Sequence, residues 1–234
     1  MKLHYKNISV ETVLPQLIHE NKVVGYFAGR AEIGPRALCH RSILANPTIK
    51  ENLNRVNKIK NREFWRPLAP VIKEEAFHEI VDLKHLSPFM LIAAPVKEEW
   101  KSRIPAVTHV DGTCRPQSIS SKQNPIIHQA LVNFEKLSGV PVFMNTSFNL
   151  RGEPLVDSPL DALKTFWNSD LDCLIMEDFL VEKSGSPDSA EDPPKDDCDE
   201  PFMERSLKHY REASSTNPEF YAPKEGSGVS RSGL

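Results

Sequence analysis

Long hydrophobic runs are missing from this 234-residue sequence: the longest uninterrupted apolar stretch, Pro88 to Val96, is far short of the roughly 20 residues that span a bilayer. The start, MKLHYKNISVE, has no apolar core of a secretory signal, so no membrane association is expected and a cytoplasmic location is the default. The four cysteines, Cys39, Cys114, Cys173 and Cys198, show no CxxC spacing, which argues against both a disulfide framework and a four-thiolate zinc site; they are expected to be reduced. The eight histidines form neither an HxxxH nor an HExxH pattern, so no metal site made by this chain alone is expected. No GxSxG elbow surrounds a serine, and no internal repeat is visible. What remains, 39% apolar and 26% charged residues, is the composition of an ordinary globular domain.

The net charge of −3 conceals an uneven distribution. Arg30 to Arg66 holds nine basic residues against three acidic ones, whereas Ser184 to Leu234 holds six basic against eleven acidic. That last segment is acidic and rich in Pro, Ser and Gly, too poor in apolar residues to offset its ordering entropy. The expected organisation is therefore one domain over residues 1–183 and a mostly disordered tail over 184–234, with a short amphipathic helix over Glu204–Ala213 as a possible exception within the tail.

Along the domain, helical and extended patterns alternate. Helices are expected within Ser9–Asn21, from a Thr48 cap to about Lys58, over Pro125–Leu137 with Gly139 as its stop, and over Pro159–Trp167 behind a Ser158 cap. Pro15 is expected to shorten or offset the first of these. Strands are expected at Lys22–Ala28, Ser42–Ala45, Leu68–Ile72, Phe89–Val96, Val140–Met144 and Leu174–Val181. The mixture is α/β or α+β, with strands that lead into polar loops.

Four of those loops carry the chemistry. GRAEIGPRALCHRSI holds Arg30, Arg36 and Arg41, residue types that pair bidentately with phosphate or carboxylate, and Glu32 is placed to hold one of them. NKIKNREFWRPLAP adds Lys58, Lys60, Arg62 and Arg66. Phe64 and Trp65 beside these cations suit either stacking on bases or packing in the core, and packing is the ordinary outcome. THVDGTCRPQ places Arg115 and Gln117 on one side of an extended stretch after the Asp111-Gly112 turn, with His109 either a hydrogen-bonded structural histidine or a base. NTSFNLRGEPL offers Asn145, Ser147 and Asn149 as donors and acceptors for phosphate or ribose oxygens, or as an Asx-type turn that caps a strand. A polyanion is the obvious ligand. A negative net charge with a local basic surplus favours a compact phosphate pocket over a groove that tracks nucleic acid.

In this order, GRAEIGPRALCHRSILANP, NKIKNREFWRPLAP, IPAVTHVDGTCRPQ and NTSFNLRGEPLVDSP resemble the C-terminal domain of the NodU/CmcH carbamoyltransferase family, over about Val23 to Lys183. The resemblance implies a YrdC-like fold, a twisted mixed β-sheet with flanking helices around a basic cavity. The Lys-x-Arg and Ser-x-Asn signatures of YrdC proteins have counterparts in Lys60-Asn61-Arg62 and Ser147-Phe148-Asn149. Cys39 stands where the family usually has Gly, and Cys114 where Ala is usual. The resemblance further implies binding of carbamoyl phosphate and ATP, with Mg²⁺, and formation of carbamoyl adenylate. Lys60, Arg62 and Arg115 are then the expected catalytic cations; Arg30, Arg36, Arg41, Lys58, Arg66, His109, Asp111, Gln117, Asn145, Ser147 and Asn149 are the expected substrate contacts. In the family a preceding Kae-type domain binds iron or a similar divalent metal and delivers the carbamoyl group to an acceptor hydroxyl. This sequence does not contain it, so a truncated product or one half of a split enzyme is expected. A threonylcarbamoyl-AMP synthase-like enzyme of tRNA modification and a non-catalytic nucleotide or RNA-binding module are the alternatives.

Overall fold

A computed structural model describes residues 2–184. The expected tail and its Glu204–Ala213 helix lie outside the described residues. In chain order the elements are β1 (Lys2–Asn7), α1 (Val10–His19), β2 (Val24–Phe27), β3 (Arg41–Ala45), α2 (Asn52–Ile59), β4 (Ala69–Lys73), α3 (Phe77–Ile80), β5 (Ala94–Pro95), α4 (Glu98–Lys101), β6 (Thr113–Cys114), β7 (Gln117–Ile119), α5 (Pro125–Ser138), β8 (Val142–Ser147), α6 (Pro159–Trp167), β9 (Cys173–Met176) and β10 (Phe179–Ser184). Eight strands form one mixed sheet in the order β1-β10-β9-β2-β3-β8-β4-β7, and β5 pairs with β6 apart from it. The β2–β9 and β4–β7 pairs are parallel; the other neighbours in the large sheet are antiparallel.

Strand composition explains the layering. β2, β3 and β9 are buried along their whole length, as strands covered on both faces must be. Helices α1 and α5 pack on each other, α5 leans on β4 and β8, and α6 leans on β2 and β9. Phe134 of α5 meets Phe143 of β8 with ring centroids 5.2 Å apart. Local signals set the helix ends: the Asn124 side chain accepts from Ile127 N, Gly139 closes α5 at φ 72°, and Ser158 with Asp161 forms a capping box on α6.

Several elements differ from the sequence expectation. α1 runs through Pro15 without a break. Proline has no N–H to give the carbonyl four residues back, and that carbonyl, Glu11 O, accepts instead from Asn133 Nδ2 of α5 at 2.7 Å. The missing local bond becomes an interhelical one. Thr48 does not cap α2, which starts at Asn52; its N–H and hydroxyl go to Asn46 Oδ1. Of the apolar run Phe89–Val96 only Ala94–Pro95 is strand, while Phe89, Leu91 and Ile92 are exposed and Met90 has φ 53°. Leu174–Val181 is two strands folded on a turn at Glu177, φ 52°, and β1 supplies a further edge strand against β10. Cys39, Cys114 and Cys173 are buried free thiols.

Candidate anion-binding site

The loop from β2 to β3 turns at Gly29, φ 55°, and is fastened from within by Glu32. Glu32 Oε1 accepts from the amides of Leu38 (2.5 Å), His40 (2.8 Å) and Arg41 (3.2 Å), so it holds backbone rather than the arginine side chain expected of it. Cys39 sits in this loop at φ 71°, a backbone conformation that glycine adopts freely and L side chains resist.

Arg41, where the loop joins β3, points inward. It is fully buried, its guanidinium lies 3.6 Å from the Phe27 ring centroid, and it donates to Ala28 O, His40 O and Gly29 O. These donations brace the backbone of the loop. Arg36, in the same loop, is turned outward into a cavity of about 310 Å³. Arg62 and Arg66 enter that cavity from the loop after α2, Arg115 from the turn between β6 and β7, and Asn145, Thr146 and Ser147 from the end of β8. Four guanidinium groups thus share one wall, and no carboxylate is among the residues that line it.

The electrostatics follow from this crowding. Burial, reinforced by Arg66, pulls Arg62 down to about 10; burial, reinforced by Arg36, lowers Arg115 as well. Arg36 Nε, Arg62 Nη2, Arg115 Nε and Asn145 Oδ1 are all buried and make no hydrogen bond. Buried polar atoms in proteins nearly always have partners, and an orphaned charged donor is the costliest kind. Three residues with such donors line one cavity, an arrangement suited to an anion with several oxygens.

Lys60 sits apart from the four arginines. It is 3% exposed and lines neither this cavity nor the neighbouring one. Its Nζ donates to Ser147 O (2.5 Å), Asn149 O (2.6 Å) and Asn149 Oδ1 (3.0 Å), with Ser147 Oγ at 3.4 Å. It pegs the loop after β8 from behind, while Ser147 Oγ donates on to Asn149 Oδ1 at 2.7 Å. Burial first, then Arg62, pulls Lys60 down to about 7.

The remaining expected residues divide. Arg30 and Gln117 line the neighbouring cavity, of about 570 Å³, together with Ile33, Leu38, Pro88 and Phe89. Lys58 is exposed on α2 and lines neither cavity. His109 and Asp111 also line neither: both bond to Thr113, which ties off the turn. Burial lowers His109 against the opposing pull of Asp111. Phe64 and Trp65 are not core residues; they are 71% and 67% exposed, because Asn57 Nδ2 binds the carbonyls on either side, Phe64 O and Arg66 O, and holds the loop outward. Sequence reasoning missed the second cavity. Phe89 is brought to it from far along the chain, and of the expected contacts Arg30 and Gln117 lie on this wall, Gln117 apart from the Arg115 expected to share its side.

The Carbamoyltransferase C-terminus family model matches residues 15–183. The chain belongs to this carbamoyltransferase family. It is 44% identical over 176 residues to nodulation protein NolNO of Sinorhizobium fredii, covering 73% of this chain and 26% of that protein. It is 45% identical over 165 residues to nodulation protein NolO of Bradyrhizobium diazoefficiens, covering 69% of this chain and 30% of that one. The chain therefore spans between a quarter and a third of the length of these relatives. Among solved structures, P. abyssi Sua5 complexed with L-threonine superposes with a TM-score of 0.51 at 18% identity, over 70% of this chain and 46% of that one. The fold is the expected YrdC-like one.

Proposed function

We propose that this domain binds carbamoyl phosphate and ATP and makes carbamoyl adenylate, which a Kae-type domain or separate subunit then uses to carbamoylate an acceptor hydroxyl. The observation that carries this reading is the 310 Å³ cavity with Arg36, Arg62, Arg66 and Arg115 on its wall and three guanidinium nitrogens left without partners. Carbamoyl phosphate loses its phosphoryl group to water, which gives phosphate and carbamate; a carbamate oxygen attacks the α-phosphorus of ATP and pyrophosphate leaves. Each step shifts negative charge between oxygens, and fixed guanidinium donors favour charge where it accumulates. The 570 Å³ cavity, with Phe89 and aliphatic neighbours, has the size and lining for the nucleoside. Lys60 acts as a positioning residue that keeps Ser147 facing the anion.

Among the described residues no three His, Cys, Asp or Glu side chains gather into a cation site. Mg²⁺ fits this reading as the partner of the nucleotide, coordinated by phosphate oxygens and water. Among the described residues no helix is long and apolar enough to cross a membrane.

Calorimetry of the full chain with ATP·Mg²⁺ and with carbamoyl phosphate tests the proposal, followed by exchange of labelled pyrophosphate into ATP. Saturable binding and exchange that depends on carbamoyl phosphate are expected. No heat at millimolar ATP overturns it. L-threonine, the ligand of the Sua5 structure, is the control: exchange that needs threonine and bicarbonate would reassign the cavity to threonylcarbamoyl adenylate synthesis.

A further inference from the structure

Asn145 lines the arginine-rich cavity from an interior strand. Its backbone pairs on both sides, with Leu44 of β3 and Ala69 of β4, so what it offers the cavity is its side chain, and the residue is only 1% exposed. The amide cannot be turned over. Nδ2 donates to Ala37 O at 2.9 Å and lies 3.4 Å from Gln117 Oε1. Gln117 is itself oriented by Nε2 donating to Leu38 O at 3.4 Å and by Cys39 Sγ at 3.8 Å from Oε1. A flipped Asn145 would press Oδ1 against two acceptor oxygens. Oδ1 is therefore committed as an acceptor, and it has no partner.

The arginines nearby supply donors for oxygen, but none of them reaches Oδ1. The ligand has to bring the missing N–H. If the cavity holds carbamoyl phosphate, as proposed above and as this inference requires, that molecule offers phosphate and carbonyl oxygens to the guanidinium groups and one donor group, its NH₂. We infer that Asn145 determines specificity: its Oδ1 accepts from the carbamoyl NH₂ and selects an amide against acyl phosphates that carry methyl or a negatively charged oxygen there. A methyl leaves the acceptor unsatisfied, and an oxyanion repels it.

The test uses hydrolytically stable probes on the full chain: phosphonoacetamide, (2-oxopropyl)phosphonate, which has CH₃ in place of NH₂, and inorganic phosphate. Phosphonoacetamide should bind roughly tenfold more tightly than its methyl counterpart. Asn145→Leu should bring that ratio to about one with inorganic phosphate still bound; Asn145→Ser serves the same comparison if the leucine variant does not fold. Equal affinities in the unsubstituted protein, or a ratio that survives both substitutions, overturns the assignment while phosphate binding upholds the cavity. If none of the three probes binds, the anion-site reading itself fails, and this inference with it.

Discussion

The two neighbouring cavities differ in how their walls are built. The smaller one presents cations carried on loop ends, Arg36, Arg62, Arg66 and Arg115, whereas the larger one is lined mostly by aliphatic side chains, Phe89 and uncharged amides such as Gln117 and Asn124. Glu32 and Arg30 are the charges of the larger wall, and Glu32 Oε1 is already committed to backbone amides. The segment 35–38 runs between them: Pro35 to Ala37 face one and Leu38 the other. On the proposed reading the difference separates affinity for charge from affinity for a flat apolar group, and substitutions should remove each without the other.

The largest effect should come from Arg36→Ala combined with Arg115→Ala. Each removes a charge-assisted donor, worth about 1.5–3 kcal/mol, so sulfate or carbamoyl phosphate should bind at least 100-fold more weakly while adenosine binds as before. Calorimetry with both ligands checks this, and parallel loss of adenosine would show that the cavities are not separable.

Gly25→Ala should strike beneath the smaller cavity. A Cβ there would lie 3.0 Å from Phe148 Cζ and 3.3 Å from Leu174 Cδ1. Phe148 is fully buried between Ser147 and Asn149, so the ring cannot yield without moving the loop that Lys60 holds. Urea unfolding should show a loss of about 1–3 kcal/mol, with weaker sulfate binding. Unchanged values for both would mean that the loop is not seated on that ring.

Phe89→Ala sharpens the contrast from the other side. Phe89 is 59% exposed at the larger cavity, so its loss should weaken adenosine by roughly three- to tenfold, equivalent to about 1 kcal/mol, and leave sulfate unaffected.

Lys60 gives the smallest and most specific effect. In the folded chain it loses its proton near pH 7, in the unfolded chain near 10.5. Sulfate, which does not titrate in this range, should bind a few-fold more weakly as pH rises from about 6.5 to 8.5, and Lys60→Met should flatten that dependence. The stability sign is the opposite. Below pH 7 both states hold the proton and the burial penalty is present in full; between about 7 and 10.5 only the unfolded state holds it, so this lysine's contribution to stability rises with pH. A pH-independent sulfate affinity in the unsubstituted protein would assign Lys60 a purely structural role.

Much of the architecture was legible because local signals and burial agree. Asn124, Gly139 and Ser158 mark helix ends by side-chain and backbone chemistry within a few residues, and the buried strands β2, β3 and β8 announce themselves as apolar runs. Where an apolar run has no such bracket, composition misleads. Phe89–Val96 has the residues of a strand, but the positive φ of Met90 turns the chain, and only Ala94–Pro95 is strand, paired with β6. The turn at Glu177 escaped notice because neither Gly nor Asn marks it.

From residue types and order alone came the family, the mixed α/β class, and the prospect of an anion site drawn from four loops, with Arg30, Arg41, Lys58, Lys60, His109, Asp111, Gln117 and Asn149 counted beside the Arg36, Arg62, Arg66, Arg115, Asn145 and Ser147 that line the smaller cavity. These follow from chain chemistry: guanidinium groups attract phosphate wherever they are, and motifs in series constrain a fold. Tertiary structure alone decided which cations face the cavity. Arg36 in the loop and Arg41 at the start of β3 stand five residues apart, yet the Phe27 ring and three backbone carbonyls turn Arg41 inward while Arg36 lines the cavity. Lys60 is likewise claimed by oxygens of Ser147 and Asn149 from a distant strand end. Which charged side chains find partners, and which are left facing a cavity, depends on groups that come together only when the chain has folded.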